Sequence, residues 1–287
     1  MGLYDINNSK INIAYDTGGT LLQTAYDINS IQVFPDGGSE ILKVMTYNVQ
    51  WFSGINSQQT MQETIIDSND ADIIGLQEVT TNGTVASVGT AVLSDYTNFR
   101  LSNHKNYLGM ASKLSLSNVT IADFTNQDPL DASQYSETRA YMMADITVGG
   151  KTITWINTHL CYLTQSVKFL QMAEVLALAE TKDYVIITGD FNSMAETIND
   201  TEYTNMFKPF VDAGYNLANC TLERGFTKTW TDSVTATSLS DFSTTTDNII
   251  TSSNIQIQSV IYDVTKLSYL DGNKIDHIPL IAELVIN

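Results

Sequence analysis

The stretch Val185-Ile186-Ile187-Thr188-Gly189-Asp190-Phe191-Asn192 decides how this chain folds. Four β-favouring residues run directly into Gly-Asp-Phe-Asn, which sets a carboxylate and an amide at the exposed end of a buried strand. Asp190 and Asn192 stand two positions apart and therefore share one side of the chain. A core strand has no use for such a pair. A site that holds a metal and a phosphate oxygen does, because hard cations take carboxylates and amide carbonyls as ligands. The pattern recurs along the chain. Strand-like runs also end at Asn48, Glu78 and His159, and the chain closes on Ile275-Asp276-His277-Ile278-Pro279-Leu280. Strand ends that carry Asn, Glu, His, Asp and Asp-His imply one assembled site.

Taken in order, six segments resemble the motifs of the endonuclease/exonuclease/phosphatase superfamily. They are Met45-Thr46-Tyr47-Asn48-Val49, Gly75-Leu76-Gln77-Glu78-Val79, Asn157-Thr158-His159-Leu160, Gly189-Asp190-Phe191-Asn192, Asp247-Asn248-Ile249-Ile250 and Asp276-His277-Ile278-Pro279-Leu280. Any one occurs by chance; six in order are specific, and they span residues 41 to 287. The resemblance implies an α+β fold, a DNase I-like four-layer sandwich of two packed mixed β-sheets flanked by helices. It places the site at one end of the sandwich.

The resemblance also implies roles. Asn48, Glu78 and Asp276 match metal ligands for Mg²⁺, with Mn²⁺ as its substitute. His159, Asp190, Asn192, Asp247 and His277 match catalytic positions, and Arg139 stands where relatives carry a charged residue near the substrate phosphate. In this reading Asp247 orients His159, and His277 works with Asp190 on the attacking water. Asn192 offers its amide to the phosphate or to Asp190. Which histidine is acid and which is base stays open. The implied reaction is hydrolysis of a phosphoester by in-line attack of an activated water. The substrate remains open among nucleic acid, a lipid head group and a small phosphoester. Exonuclease III-type repair enzymes usually place tyrosine at position 159, so that branch fits less well. The alternative is an inactive structural or binding protein, such as a phage structural component, that keeps the fold without the chemistry.

Two positions depart from the family pattern. Asn248 stands where an aromatic is usual, and Lys168 where relatives often carry Arg. Lys168 and Gln171 are expected to hold a helix or loop in place. Trp51 and Phe52 could face substrate or belong to the core, and His104 is expected to be solvated.

Composition narrows the remaining choices. The chain has 287 residues, 43% of them hydrophobic, enough for one large domain with an appendage. No apolar run approaches a membrane span, and the N-terminus lacks a signal-peptide pattern, which favours a cytoplasmic or virion-associated protein. Cys161 and Cys220 make neither a disulfide framework nor a zinc site and read as buried thiols. The formal charge of −18 repels polyanions at long range, which argues against avid sequence-independent DNA binding. A bound divalent cation would still supply positive charge where a phosphate sits.

Residues 1 to 40 read as a separate β-repeat extension. Tyr4-Asp5, Tyr15-Asp16 and Tyr26-Asp27 recur every eleven residues, as do Ile11, Leu22 and Val33. Short strands separated by polar turns fit a small β-meander, either an assembly or anchoring segment able to self-associate or a β-extension of no consequence. From Ile41 onward, helices are expected over 57–70 and 166–181. A hairpin is expected to turn at Gly149-Gly150.

Overall fold

The computed structural model describes residues 14–15, 21–22, 25–26, 32–33, 40–49, 56–79, 96, 98–101, 107–129, 138–231, 239–264 and 276–287. Trp51, Phe52 and His104 lie outside the described residues. The chain divides into two compact units, Met1–Glu40 and Ile41–Asn287. In the first, β1 (Ala14–Tyr15) pairs antiparallel with β2 (Leu21–Leu22), and β3 (Ala25–Tyr26) with β4 (Gln32–Val33). Ala14↔Leu22 in one ribbon becomes Ala25↔Val33 in the next, so the eleven-residue period of the sequence is also the period of the pairing. Ile11 lies outside the described residues.

The second unit is a four-layer sandwich. One six-stranded sheet orders β15 (Ile255–Tyr262), β16 (Leu280–Ile286), β5 (Glu40–Asn48), β6 (Ile73–Gln77), β8 (Gly109–Ser112) and β7 (Asn98–Leu101). The other orders β13 (Asn216–Leu217), β14 (Asp247–Thr251), β12 (Val185–Asp190), β11 (Lys151–His159), β10 (Ala140–Val148) and β9 (Ser117–Asp123). For brevity these are sheet A (the one with β5) and sheet B (the one with β12). Each sheet contains one parallel crossover. In sheet A, α1 (Asn56–Asn69) joins β5 to β6; in sheet B, α2 (Gln165–Ala179) joins β11 to β12. A π-helical turn over Tyr203–Phe207 and the short α3 (Lys208–Asp212) complete the layer beside α2. The hairpin between β10 and β11 turns at Gly149 and Gly150, with φ of 57° and 75°. Those left-handed values suit residues without a Cβ.

Three apolar cores separate the layers, and strand parity assigns each side chain to one of them. Met45, Tyr47, Ile74 and Leu76 pack with Ile65 and Ile66 of α1. Val44, Ile73, Trp155, Ile186, Ile249 and Leu280 fill the gap between the sheets. Ile156, Val185, Ile187 and Ile250 pack with Met172, Val175 and Phe210 of the other helical layer. Side chains two apart share a face. Asn48 therefore follows Val44 toward the gap, His159 follows Trp155, Asp190 follows Ile186, and Asp247 precedes Ile249. Sheet parity alone aims all four at the same end of the inter-sheet space.

A buried polar knot ties the sheets midway along that gap. The Asn157 amide donates to Leu76 O and Gly109 O at 2.9 and 2.8 Å, and its Oδ1 accepts from Gln77 at 2.7 Å and Thr188 at 3.1 Å. Every Asn157 polar atom is used, while the Gln77 Oε1 beside it is buried without a partner among the described residues. Gly75 faces this knot. A Cβ there would stand 2.5 Å from Asn157 Oδ1 and closer still to Thr188 Oγ1, so only glycine fits.

The inner face of α2 is mixed rather than purely apolar. Its buried residues are Lys168, Gln171, Met172, Val175 and Ala179, while Leu170 is exposed. Polar loop backbones lie on its inner side and need partners, which outweighs the apolar pattern. Asn248, where an aromatic was expected, is buried in reciprocal hydrogen bonds with Asn219. Its Oδ1 accepts from Asn219 N, and its amide donates to Asn219 O, both at 2.9 Å. The two cysteines are buried thiols.

Candidate active site

The site is a row of strand ends in sheet B facing a second row from sheet A. Ala140 pairs with His159, His159 with Asp190, and Asp190 with Asp247. Arg139, His159, Asp190 and Asp247 therefore enter from four adjacent strands. Opposite them, Asn48 ends β5, Glu78 follows β6, and Asp276 and His277 precede β16. A cavity of about 220 Å³ opens between the rows; Glu78, Arg139, His159, Asp190, Asp276 and His277 all line it.

Asp190 is the meeting point. Its Oδ2 accepts from Asn48 Nδ2 at 2.9 Å, and it lies 3.5 Å from His159 Nε2 and 3.6 Å from His277 Nε2. Its Oδ1 accepts from the Asn192 backbone N–H at 2.8 Å. Asn48 also donates to Glu78 Oε1 at 3.0 Å, so one amide bridges the carboxylates of the two rows. Two site residues take left-handed backbone conformations, Glu78 with φ 59° and Asn192 with φ 49°. For a glutamate this costs about 1–2 kcal/mol, and such strain concentrates where a side chain must be aimed.

Asp247 holds His277 rather than His159, which corrects the expected pairing. His277 Nδ1 lies 2.9 Å from Asp247 Oδ2. The same carboxylate oxygen accepts from Thr246 Oγ1 at 2.9 Å, and Asp247 N–H donates to Thr229 Oγ1. His159 instead faces Asp190. The Asn192 amide departs from expectation as well: its Nδ2 donates to Leu160 O at 2.9 Å, and its backbone is what reaches Asp190.

The two imidazoles have opposite charge preferences. Burial, followed by the Arg139 guanidinium, lowers His159 to about 3 and keeps it neutral. Burial also works against a charged His277, but Asp247, Asp190 and Asp276 together outweigh it and raise this ring to about 10. Burial and the neighbouring Asp276 raise Glu78 to about 7, and burial raises Asp276 as well.

A hard cation would relieve that acidic crowding. Asp276 Oδ1 is buried without a hydrogen-bond partner among the described residues, and Glu78 and Asp276 offer only oxygen donors. These residues fit Mg²⁺. Asp190, Asp247 and His277 also place ligand-type atoms within 4.8 Å of one another. In that cluster His277 Nδ1 is already engaged by Asp247.

Sequence reasoning missed several neighbours. Tyr162, Met194, Trp230, Thr244 and Thr246 line the cavity. Tyr162 and Met194 follow motif residues closely, and the run Thr244-Thr245-Thr246 leads directly into Asp247, so these had a local signal. Trp230 had none. It reaches the site by backbone bridges to Thr244 and His277, and its indole donates to Asp276.

With this architecture and constellation, the chain belongs to the endonuclease/exonuclease/phosphatase family, whose model matches residues 45–268. Solved structures agree on the fold. An endonuclease/exonuclease/phosphatase from Bacteroides vulgatus shares 16% identity at a TM-score of 0.65, over 86% of this chain and all of that one (100%). TDP2 of D. rerio, complexed with a single-strand DNA product, shares 17% identity at TM-score 0.65, over 85% of this chain and 99% of that one. The human Nocturnin catalytic domain, with bound sulfate, shares 15% identity at TM-score 0.62, over 85% and 94%. No curated protein sequence matches the chain.

Proposed function

We propose that the protein is a Mg²⁺-dependent phosphoester hydrolase, with Mn²⁺ as the substitute metal. The observation that carries this reading is Asp190, a buried carboxylate placed between two imidazoles at 3.5 and 3.6 Å on the wall of a cavity whose other side is acidic. Glu78 and Asp276, with the Asn48 amide beside them, would hold the cation. Bound there, it supplies charge neutralisation to a phosphoryl oxygen. Arg139 would take a second phosphoryl oxygen, and the neutral His159 N–H can donate to the phosphate without adding charge. Asp190 accepts the proton of the attacking water as its oxygen bonds to phosphorus. The ester P–O bond breaks on the opposite side, and the departing oxygen takes a proton from solvent. His277, kept charged by Asp247, stands beside Asp190 as a cation. General-base assistance of this kind is worth about a hundredfold or more.

The inactive alternative would be favoured by a gap in the motif set, and the chain keeps all eight positions from Asn48 to His277. The reading is tested with bis-p-nitrophenyl phosphate, followed by plasmid DNA, RNA, sphingomyelin and inositol phosphates. Turnover is expected to stop in chelator and return with Mg²⁺ or Mn²⁺, and Glu78→Gln is expected to weaken metal binding in a folded protein. Full activity in excess chelator would overturn the metal role.

A further inference from the structure

Two exposed apolar side chains stand at the mouth of the cavity, and buried polar groups pin both in place. Tyr162 is 46% exposed and Met194 is 52% exposed, and both line the cavity together with His159, Arg139 and Asn192. Their loops are built alike. Each leaves a sheet B strand just after a site residue: Tyr162 follows His159, and Met194 follows Asn192. One residue before Tyr162, the Cys161 N–H donates to Gln171 Oε1 at 2.8 Å. On either side of Ser193, Asn192 O accepts from the Lys168 ammonium and Met194 N–H donates to Glu202 Oε2, both at 2.5 Å. Lys168 and Glu202 are themselves paired at 2.8 Å, and Lys168, Gln171 and Glu202 are buried.

Burying an ammonium and a carboxylate carries a desolvation cost that a loop with no task would not need. Here that cost holds a tyrosine ring and a thioether in water, beside the groups that would grip a phosphate. Preorganised side chains on a rigid support are what a binding surface requires. Leu170 gives the contrast: it is 50% exposed on α2, yet it is not a wall of the cavity.

We propose that Tyr162 and Met194 form a subsite for the organic group of the substrate, and that this group is flat and apolar, an aromatic ring above all. The inference rests on reading the cavity as a phosphoester site. A tyrosine face stacks on a ring, and a polarisable thioether adapts to its edge. A small alkyl ester would leave both side chains in water. The charge of −18 works against a long polyanion, so one phosphate with one flat substituent is the unit recognised.

Calorimetric titration of the full chain in Mg²⁺ with methyl phosphate and with 1-naphthyl phosphate tests this without requiring turnover. Naphthyl phosphate is expected to bind about tenfold tighter or more, the scale of covering one ring face. In the double variant Tyr162→Ser/Met194→Ser the two affinities should converge to within about twofold. Leu170→Ser should keep the wild-type ratio. Equal affinities in the wild type, or an unchanged ratio in the double variant, would overturn the subsite while leaving the phosphate site standing. Failure of both ligands to bind would overturn the phosphoester reading and the subsite with it.

Discussion

The two parallel crossovers, β5–α1–β6 in sheet A and β11–α2–β12 in sheet B, are built on one plan and deliver different chemistry. In each, the connecting helix grips the loop behind the first strand. Gln62 of α1 donates to Val49 O, one residue past Asn48; Gln171 of α2 accepts from Cys161 N–H, two residues past His159. The first unit then presents oxygen donors, Asn48 and Glu78, and the second an imidazole and a carboxylate, His159 and Asp190. Topology brings four strand ends to one place, and side chains alone suit one half, in the proposed reaction, to holding a cation and the other to handling a proton. The helices differ too. α2 adds a buried ion pair, Lys168–Glu202, where α1 grips its loop with a neutral amide.

The largest effect should come from the residue both units touch. Asp190→Ala removes the acceptor of Asn48 and the neighbour of both imidazoles, and turnover on bis-p-nitrophenyl phosphate is expected to fall about a thousandfold or more. A loss under about tenfold would mean that the halves do not act through it.

Next in size is the histidine asymmetry. His277→Ala should lower turnover about a hundredfold, and Asp247→Asn should reproduce its pH–rate profile, because Asp247 is the carboxylate hydrogen-bonded to that ring. If Asp247→Asn instead matches His159→Ala, the pairing seen here is not the one that matters in turnover.

The two loop grips can be separated by stability. Lys168→Met strands Glu202 in the interior and is expected to cost about 3–5 kcal/mol in denaturant unfolding. Gln62→Ala leaves one buried carbonyl unmet and should cost about 1–3 kcal/mol. Glu202 adds an acid signature. Burial pushes its carboxyl up, but the Lys168 and Met194 hydrogen bonds overcome this and hold it below its ordinary 4.5. A depressed carboxylate contributes stability above the unfolded value, and that contribution disappears as pH falls through the folded one. Melting curves below pH 4.5 should therefore show an acid-side loss in the wild type that Glu202→Gln lacks.

The smallest effect on chemistry is expected from removing residues 1 to 40, which hold none of the matched site residues. Turnover should stay within about twofold, while light scattering or melting temperature changes, because so short a segment needs a partner surface. Collapse of activity in a folded remainder would place the extension in the site.

Much of the sandwich was legible because strand parity and abrupt polar termination are local signals. Val185 to Asp190, Ile153 to His159 and the Gly149-Gly150 turn all carry their structure in adjacent residues. The site's membership was legible for the same reason. Its internal pairing was not, since His277 enters from sheet A and reaches Asp247 across the gap, a contact set by how the sheets stack. Which face α2 buries was not legible, because loop carbonyls and amides, invisible in an apolar pattern, determine it. Trp230 arrives through backbone bridges that no spacing announces.

Gly75 gives the sandwich a gauge. Its missing side chain admits Thr188 and Asn157 of the facing sheet. Asn48 and Glu78 belong to the sheet on one side of that contact and Asp190 to the sheet on the other. Interiors this dense transmit rather than absorb a displacement. The spacing between the two rows of strand ends is therefore calibrated deep in the core, by a residue in neither row, and one added methyl group there would shift that spacing from a distance.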